Sequence, residues 1–80
     1  MDFYQRLVKL ERIHRSILTR STGTPAQLAS KVNIARRTLY EYLDQLKSLG
    51  AEIAYSRTIQ SYYYVNDFNF QLRIKRNNSD

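Results

Sequence analysis

The chain has 80 residues, a net charge of +6 and no cysteine. This length leaves room for one small domain and none for a separate effector domain. The lack of cysteine excludes a disulfide framework and a thiolate metal site, whereas the positive charge is typical of nucleic-acid-binding proteins. Charged residues interrupt the apolar runs, including the N-terminal one. Neither a signal peptide nor a membrane span is indicated, and we expect a cytoplasmic protein.

Residues 2–19 have the spacing of an amphipathic first helix. Its apolar stripe consists of Phe3, Leu7, Leu10, His14 and Ile17, with Ile13 and Leu18 beside it. His14 is the only histidine in the chain, and a single histidine without cysteine or clustered carboxylates does not make a metal site. Its position on the apolar stripe therefore favours a partly buried structural role or an interface position over catalysis.

The segment 24–33 predicts a short second helix that ends in a tight turn. Thr24 can accept a hydrogen bond from an unpaired backbone N–H as the N-cap, and Pro25 suits the first helical position. Gln27 follows at the spacing of a capping box. Asn33 tolerates a positive φ and can end the helix in a left-handed turn. The apolar stripe of this helix consists of Leu28, Ala29 and Val32.

The segment 35–49 predicts a third helix that is closed by Gly50. Its apolar face carries Leu39, Leu43 and Leu46, with Tyr42 and Leu49 at the edge. Its polar face carries Arg37, Glu41, Asp44 and Ser48, flanked by Arg36, Tyr40 and Thr38. A helix that reads DNA needs polar and cationic side chains in its first turns, where they reach base edges in the major groove. A solvated amphipathic helix has a similar pattern, but the short preceding helix and its asparagine turn favour DNA binding.

After Gly50 the pattern alternates with a period of two. Ile53 and Tyr55 predict one half-buried strand, residues 56–60 a polar loop, and residues 62–65 a second strand. Two short strands around a basic loop have the layout of a wing. Arg57 is then a candidate contact to DNA phosphates, although a loop arginine is commonly only solvated. The tyrosines at 62–64 also allow a nucleophile or a base-stacking surface. Because no activating cluster is visible and alternate members must face inward, packing in the core is favoured.

A further alternating pattern follows, with apolar residues at Phe68, Phe70, Leu72 and Ile74. This pattern predicts a third strand that either completes the wing sheet or pairs with a second copy of the chain. Residues 76–80 are polar and predict a disordered tail after a domain that spans residues 1–75. No repeat, Gly-rich phosphate loop, acid pair or catalytic triad is visible, so we expect neither an enzyme nor a cofactor.

The stretch LASKVNIARRTLYEYLDQLKSLGAEIAY resembles the helix-turn-helix and following strand of the type-11 winged-helix family. That family is related to DeoR-type regulators and to the N-terminal domain of the biotin repressor. The resemblance covers roughly residues 7–64 and is densest over residues 28–55. It implies that the segment 36–40 begins a recognition helix and that Gly50, Ile53 and Tyr55 lead into the wing.

Three departures from the family pattern affect what the resemblance implies. Asn33 replaces the usual turn glycine, which its tolerance of positive φ permits. Ala35 replaces the usual serine and removes an N-cap worth about 1 kcal/mol. Glu41 and Asp44 stand where basic residues are common, so this helix is expected to hold phosphate less strongly.

The fold prediction is an α+β winged helix-turn-helix, with three helices followed by a small antiparallel sheet. The predicted function is sequence-specific binding of double-stranded DNA in transcriptional control, by a homodimer formed through residues 68–74 or through helix 1. The predicted DNA-binding residues are Thr24, Arg36, Arg37, Thr38, Tyr40, Glu41 and Arg57. The alternative is a winged-helix module for protein–protein interaction that has lost DNA binding.

Overall fold

The protein folds as three helices followed by a two-stranded antiparallel sheet, the predicted α+β winged helix-turn-helix arrangement. A computed structural model describes residues 3–69. The elements are α1 (Phe3–Leu18), α2 (Pro25–Lys31), α3 (Arg36–Ser48), β1 (Ile53–Ser56) and β2 (Ser61–Tyr64). The predicted tail, and Phe70, Leu72 and Ile74 of the predicted third strand, lie outside the described residues. Phe68 is described and is not in a strand.

Helix α2 has the ends that its sequence predicts. The Thr24 side chain accepts a hydrogen bond from the Gln27 N–H, and the Gln27 side chain accepts one from the Thr24 N–H, which together form a capping box. Asn33 adopts a φ of 59° and turns the chain after the helix. The Ile34 N–H then donates to the Ala29 carbonyl at 2.9 Å. These bonds pair backbone groups that a seven-residue helix would otherwise leave to water.

Helix α3 has no side-chain cap at its N-terminus and a hydrogen-bonded cap at its C-terminus. Its N-cap, Ala35, makes no side-chain hydrogen bond, as the sequence predicts. At the other end Gly50 adopts a φ of 112°. The Gly50 N–H donates to the Lys47 carbonyl and the Ala51 N–H to the Leu46 carbonyl. This bonding pattern is a Schellman motif, in which glycine supplies the backbone conformation that other residues avoid.

The core lies where the three helices and the sheet meet. Its buried apolar residues are Leu10, Ile13, Ile17, Leu28, Ala29, Val32, Leu39, Tyr42, Leu43, Leu46, Ala51 and Tyr62. The predicted stripe of α1 is correct in its period and wrong in its extent. Phe3 is 74% exposed and Leu18 is 54% exposed, and Leu7 is only half-buried. Helical periodicity identifies which face of α1 points inward, but it does not show how far along the helix the core reaches.

The sheet is a single hairpin, and its register determines which tyrosines share a face. Tyr55 lies opposite Tyr62 and Ile53 opposite Tyr64, so these four side chains share one face. The ring centroids of Tyr55 and Tyr62 are 5.0 Å apart in an edge-to-face arrangement. Tyr62 is buried, and Tyr63 and Tyr64 are half-buried. The structure therefore confirms that the tyrosine run packs in the protein.

A buried pair of hydroxyl groups ties β2 to the linker between α1 and α2. Thr22 and Ser61 are both 0% exposed. The Thr22 N–H donates to Ser61 Oγ at 3.0 Å, and the Tyr62 N–H donates to Thr22 Oγ1 at 2.9 Å. The two hydroxyl groups donate in turn to the carbonyls of Gly23 and Tyr62. Each buried polar group in this contact thus has a partner, as stability requires.

A second polar contact in the interior joins α1 to the end of β2. His14 is 3% exposed, and its Nδ1 lies 2.6 Å from the Tyr64 hydroxyl. The ring of Phe68 packs edge-on against His14 with centroids 5.9 Å apart. Burial lowers the pKa of His14 below its ordinary value and outweighs the raising effect of Glu11, while Arg15 adds a smaller lowering effect. The structure confirms the predicted structural role of His14.

Candidate nucleic-acid interface

The polar face of α3 is turned away from the core. Leu39, Tyr42, Leu43 and Leu46 bury the opposite face. Among the predicted site residues, Arg36, Arg37 and Glu41 are exposed, and Thr38 is half-buried. The apolar residues of α3 pack in the core and fix the orientation of the helix. Its first two turns therefore present their polar side chains outward.

The wing, defined here as the hairpin β1–β2 with its loop 57–60, approaches α3 through the side chain of Tyr62, the second residue of β2. Burial raises the pKa of the Tyr62 hydroxyl, and Tyr40 raises it further, whereas Arg36 lowers it. The side chains of Tyr40 and Arg36 therefore lie near that of Tyr62.

The wing loop is a short ordered turn. It spans four residues between Ser56 and Ser61, which pair with each other across the hairpin. The Ile59 N–H donates to Ser56 Oγ at 3.4 Å, and Gln60 closes the turn with a φ of 51°. Arg57 is exposed in this turn. The loop thus presents its single cation, Arg57, to solvent.

Arg36, Arg37 and Arg57 form no ion pair with a carboxylate among the described residues. Within residues 3–69, the only ion pair closer than 4 Å joins Arg15 and Glu11 on α1. Glu41 and Asp44 are nevertheless exposed on the polar face of α3. Glu41 lines a small cleft of about 140 Å³ together with Arg6, Thr38, Tyr42 and Gln45. The polar face of α3 is therefore basic at its start and acidic further along the helix.

Thr24, another predicted site residue, has a structural role in α2. It is half-buried at the start of α2, with its hydroxyl engaged in the capping box. The structure accordingly gives Thr24 a role in capping the N-terminus of α2. Tyr62 lies near Arg36 and Tyr40, and the linker that leads to Thr24 contacts the same strand through Thr22.

Several cations that sequence reasoning left unassigned bind backbone carbonyls within the protein. Lys9 Nζ donates to the Asn33 carbonyl, and Arg12 donates to the Lys31 carbonyl, each at 3.2 Å. Lys31 Nζ donates to the Ser21 carbonyl at 2.6 Å. The carbonyls at the end of α2 carry partial negative charge, so a cation there is stabilising. The sequence shows basic residues at successive turns of α1, but it does not show which backbone carbonyls they bind.

Arg20 is a further basic residue with a specific contact. Its guanidinium lies over the ring of Tyr63 at 5.6 Å from the ring centroid. Tyr63 is on the opposite face of the hairpin from Tyr62, because neighbouring strand residues point to opposite sides. A cation over an aromatic ring is attracted by the ring electrons. This contact adds to the attachment of the α1–α2 linker to β2.

Comparison with protein-family models, curated proteins and solved structures gave no match for this chain. No helix of residues 3–69 is long and apolar enough to cross a membrane. The described part of the chain also holds no group of three or more His, Asp or Glu side chains suited to a metal ion. Any functional conclusion therefore depends on the geometry of the site itself.

Proposed function

We propose that the protein binds double-stranded DNA in a sequence-specific manner, with α3 in the major groove and the wing on the adjacent backbone, and that it acts in transcriptional control. One observation carries the proposal. The first turns of α3 expose Arg36 and Arg37 on the side opposite its buried face, and the wing adds a further exposed cation at Arg57.

The arrangement suggests a division of roles. Arg36, Arg37 and Thr38 project from the first turns of α3 and are proposed to reach base edges, since arginine can bond the two acceptors of guanine. The side chain of Tyr40 extends from α3 near Tyr62 of the wing. Its hydroxyl is proposed to donate to a phosphate or sugar oxygen. Arg57 is proposed to contact a phosphate, which positions the protein without reading sequence.

Glu41 and Asp44 are expected to limit the affinity. Both are exposed on the polar face of α3, where a phosphate would repel them. A monomer with few cationic contacts is then expected to bind weakly, which gives a dimer on a two-fold DNA site an advantage. Phe68, one residue of the proposed C-terminal dimer contact, is half-buried against the core of its own chain.

The same acids support the second candidate, a winged-helix module that binds another protein. An acidic patch in the second half of α3 suits a basic protein surface better than a phosphate backbone. In that case the cations near the wing would guide a partner protein and would not read bases.

Selection of bound duplexes from a random pool distinguishes the two candidates. The full chain should enrich a short motif over successive rounds. An Arg37→Ala variant should lose preference at one position of that motif, whereas Arg15→Ala on α1 should leave the motif unchanged. Failure of the parent chain to enrich any sequence, with its fold intact by circular dichroism, would favour the protein-binding module.

A further inference from the structure

A small cleft lies between α1 and α3, and Arg6 of α1 borders it. The cleft has a volume of about 140 Å³ and is lined by Arg6, Thr38, Glu41, Tyr42 and Gln45. Arg6 is exposed, and its guanidinium lies over the ring of Tyr42, 5.9 Å from the ring centroid. Arg6 forms no ion pair within 4 Å among the described residues. The cleft therefore places an accessible cation of α1 at the side of α3.

The other three basic residues of α1 have different partners. Lys9 and Arg12 donate to backbone carbonyls at and just after the end of α2, and Arg15 forms an ion pair with Glu11. Arg6 is instead held beside α3, since a cation over an aromatic ring is attracted to it. A side chain that is already restricted loses less freedom when it binds a ligand. Among the cations of α1, Arg6 is therefore the one suited to act together with α3.

The cleft lies on the flank of α3 opposite to Tyr62 of the wing. A helix turns by about 100° for each residue, so Thr38 in the cleft and Tyr40 lie about 160° apart around the axis of α3. Gln45, also in the cleft, follows Thr38 by two turns and lies on the same flank. The side chain of Tyr40 is near Tyr62. Helix α3 is thus bordered by the wing on one flank and by Arg6 on the other.

Both flanks of a helix that enters the major groove lie next to phosphates. With its side chains a helix is about 10–12 Å wide, and the major groove is about 12 Å wide. The residues on the outward face then meet base edges, and the residues on the flanks meet the two backbones that border the groove. These backbones belong to different strands of the duplex. With α3 in the groove, Arg6 and the wing would therefore face different strands.

We propose that Arg6 binds a backbone phosphate of the DNA strand that lies across the major groove from the wing, a contact that rests on the proposed DNA binding by α3. A guanidinium suits this ligand because its fixed N–H groups can bond two phosphate oxygens at once. The contact positions α3 in the groove and reads no base.

Because Glu41 lines the same cleft, two effects of Arg6 must be separated. The positive charge of Arg6 offsets the repulsion between Glu41 and the phosphates, whether or not Arg6 itself touches a phosphate. In a Glu41→Gln variant that repulsion is absent. An effect of Arg6 that persists in this variant is then due to its own contact with DNA.

The salt dependence of binding to a selected duplex measures the contact. Arg6→Gln should reduce the magnitude of the slope of log K against log salt concentration by about 1, the value for one phosphate, in the parent and equally in the Glu41→Gln variant. Arg6→Lys keeps the charge and should keep the slope. The control is Arg15→Gln, on the opposite side of α1 from Arg6, and it should leave the slope unchanged. Circular dichroism checks that each variant retains the helical content of the parent.

Duplexes in which a single phosphate is replaced by an uncharged methylphosphonate locate the contact. The parent should bind such a duplex more weakly when the replaced phosphate is one that it contacts. Arg6→Gln should lose this sensitivity at a phosphate of one strand. Arg57→Gln, which removes the proposed phosphate contact of the wing, should lose it at a phosphate of the other strand.

Three results would overturn the proposal and leave DNA binding by α3 in place. One is a slope that Arg6→Gln reduces no more than Arg15→Gln does. Another is an effect of Arg6→Gln that disappears in the Glu41→Gln variant, which would show that Arg6 only neutralises Glu41. The third is an Arg6→Gln variant that keeps every phosphate sensitivity of the parent, or loses one on the same strand as Arg57→Gln. A parent chain that binds no duplex would contradict the proposed function and this contact together.

Discussion

At the scale of single residues, the basic side chains divide by what they contact. Lys9, Arg12 and Lys31 donate to backbone carbonyls of their own chain. Arg36 and Arg37 are exposed on α3 and form no ion pair within 4 Å. A cation that already caps a helix end is a weaker candidate for phosphate than one that faces water. The net charge of the chain therefore overstates the charge available to DNA.

Substitution of Arg37 tests whether a single residue of α3 recognises a DNA base. Its replacement by alanine should cost about 1–3 kcal/mol of specific binding, the loss expected for a paired contact to guanine. Fluorescence anisotropy with a selected duplex and with a duplex mutated at one position measures the loss. Arg15→Ala, which removes the same charge from α1, should cost much less. Equal effects of the two substitutions would show that Arg37 does not contact a base.

His14 should make the stability of the fold depend on pH. Burial holds its pKa in the folded state below the ordinary value of 6.5. The unfolded chain therefore takes up a proton first as the pH falls, and the free energy of unfolding should decrease below about pH 6.5. Above that pH the histidine is neutral in both states and contributes no slope.

Urea unfolding at pH 7.5 and pH 5.5 measures the contribution of His14. The parent should lose more stability between these values than a His14→Gln variant, which cannot take up the proton. Glu11, Arg15 and Tyr64 are kept in both proteins, since the first two act on the His14 pKa and Tyr64 is its hydrogen-bond partner. The same loss in both proteins would assign the pH dependence to other groups.

At the scale of elements, the attachment of the wing is the feature on which the site depends. The wing is held on one side by Tyr55 and Tyr62 against the core. On the other side it is held by Ser61 against Thr22. A two-stranded hairpin is marginal in water by itself. The position of Arg57 relative to α3 therefore follows from these contacts and not from the hairpin alone.

Ser61→Ala should loosen this attachment. The substitution leaves the buried N–H of Thr22 without its acceptor, which costs about 1–3 kcal/mol. Urea unfolding followed by circular dichroism measures the change. Ser48→Ala is the matched control, because Ser48 is an exposed serine whose hydroxyl donates to the Asp44 carbonyl in the same helix. A loss for Ser61→Ala no greater than for the control would contradict the role given to the buried hydroxyl pair.

Local chemistry explains which elements the sequence predicts well. The capping box of Thr24, the positive φ of Asn33 and the C-terminal motif at Gly50 each involve residues within one or two turns, and all three are confirmed. The inward period of α3 is likewise a local property, so the exposure of Arg36 and Arg37 could be predicted.

Contacts between distant segments explain what the sequence does not predict. The bond from Thr22 to Ser61 spans 39 residues and that from His14 to Tyr64 spans 50. Nothing in a local pattern indicates which hydroxyl or ring will be the partner. The exposure of Phe3 has the same origin, because it depends on where the other elements end.

At the scale of the whole molecule, one small basic fold carries the surface that is proposed to meet DNA. That surface combines the start of α3 with the wing. A dimer would present two copies of it along one duplex.

The salt dependence of duplex binding tests the central claim most directly. Each neutralised phosphate contributes about 0.9 to the slope of log K against log salt concentration, and a slope of about −3 to −5 is expected for the parent. Replacing Arg57, the proposed phosphate contact, by glutamine should reduce its magnitude by about 1. Replacing Arg15 by glutamine removes the same charge from α1 and should leave the slope unchanged. Binding without salt dependence, or equal slopes for the two variants, would contradict a DNA surface formed by α3 and the wing.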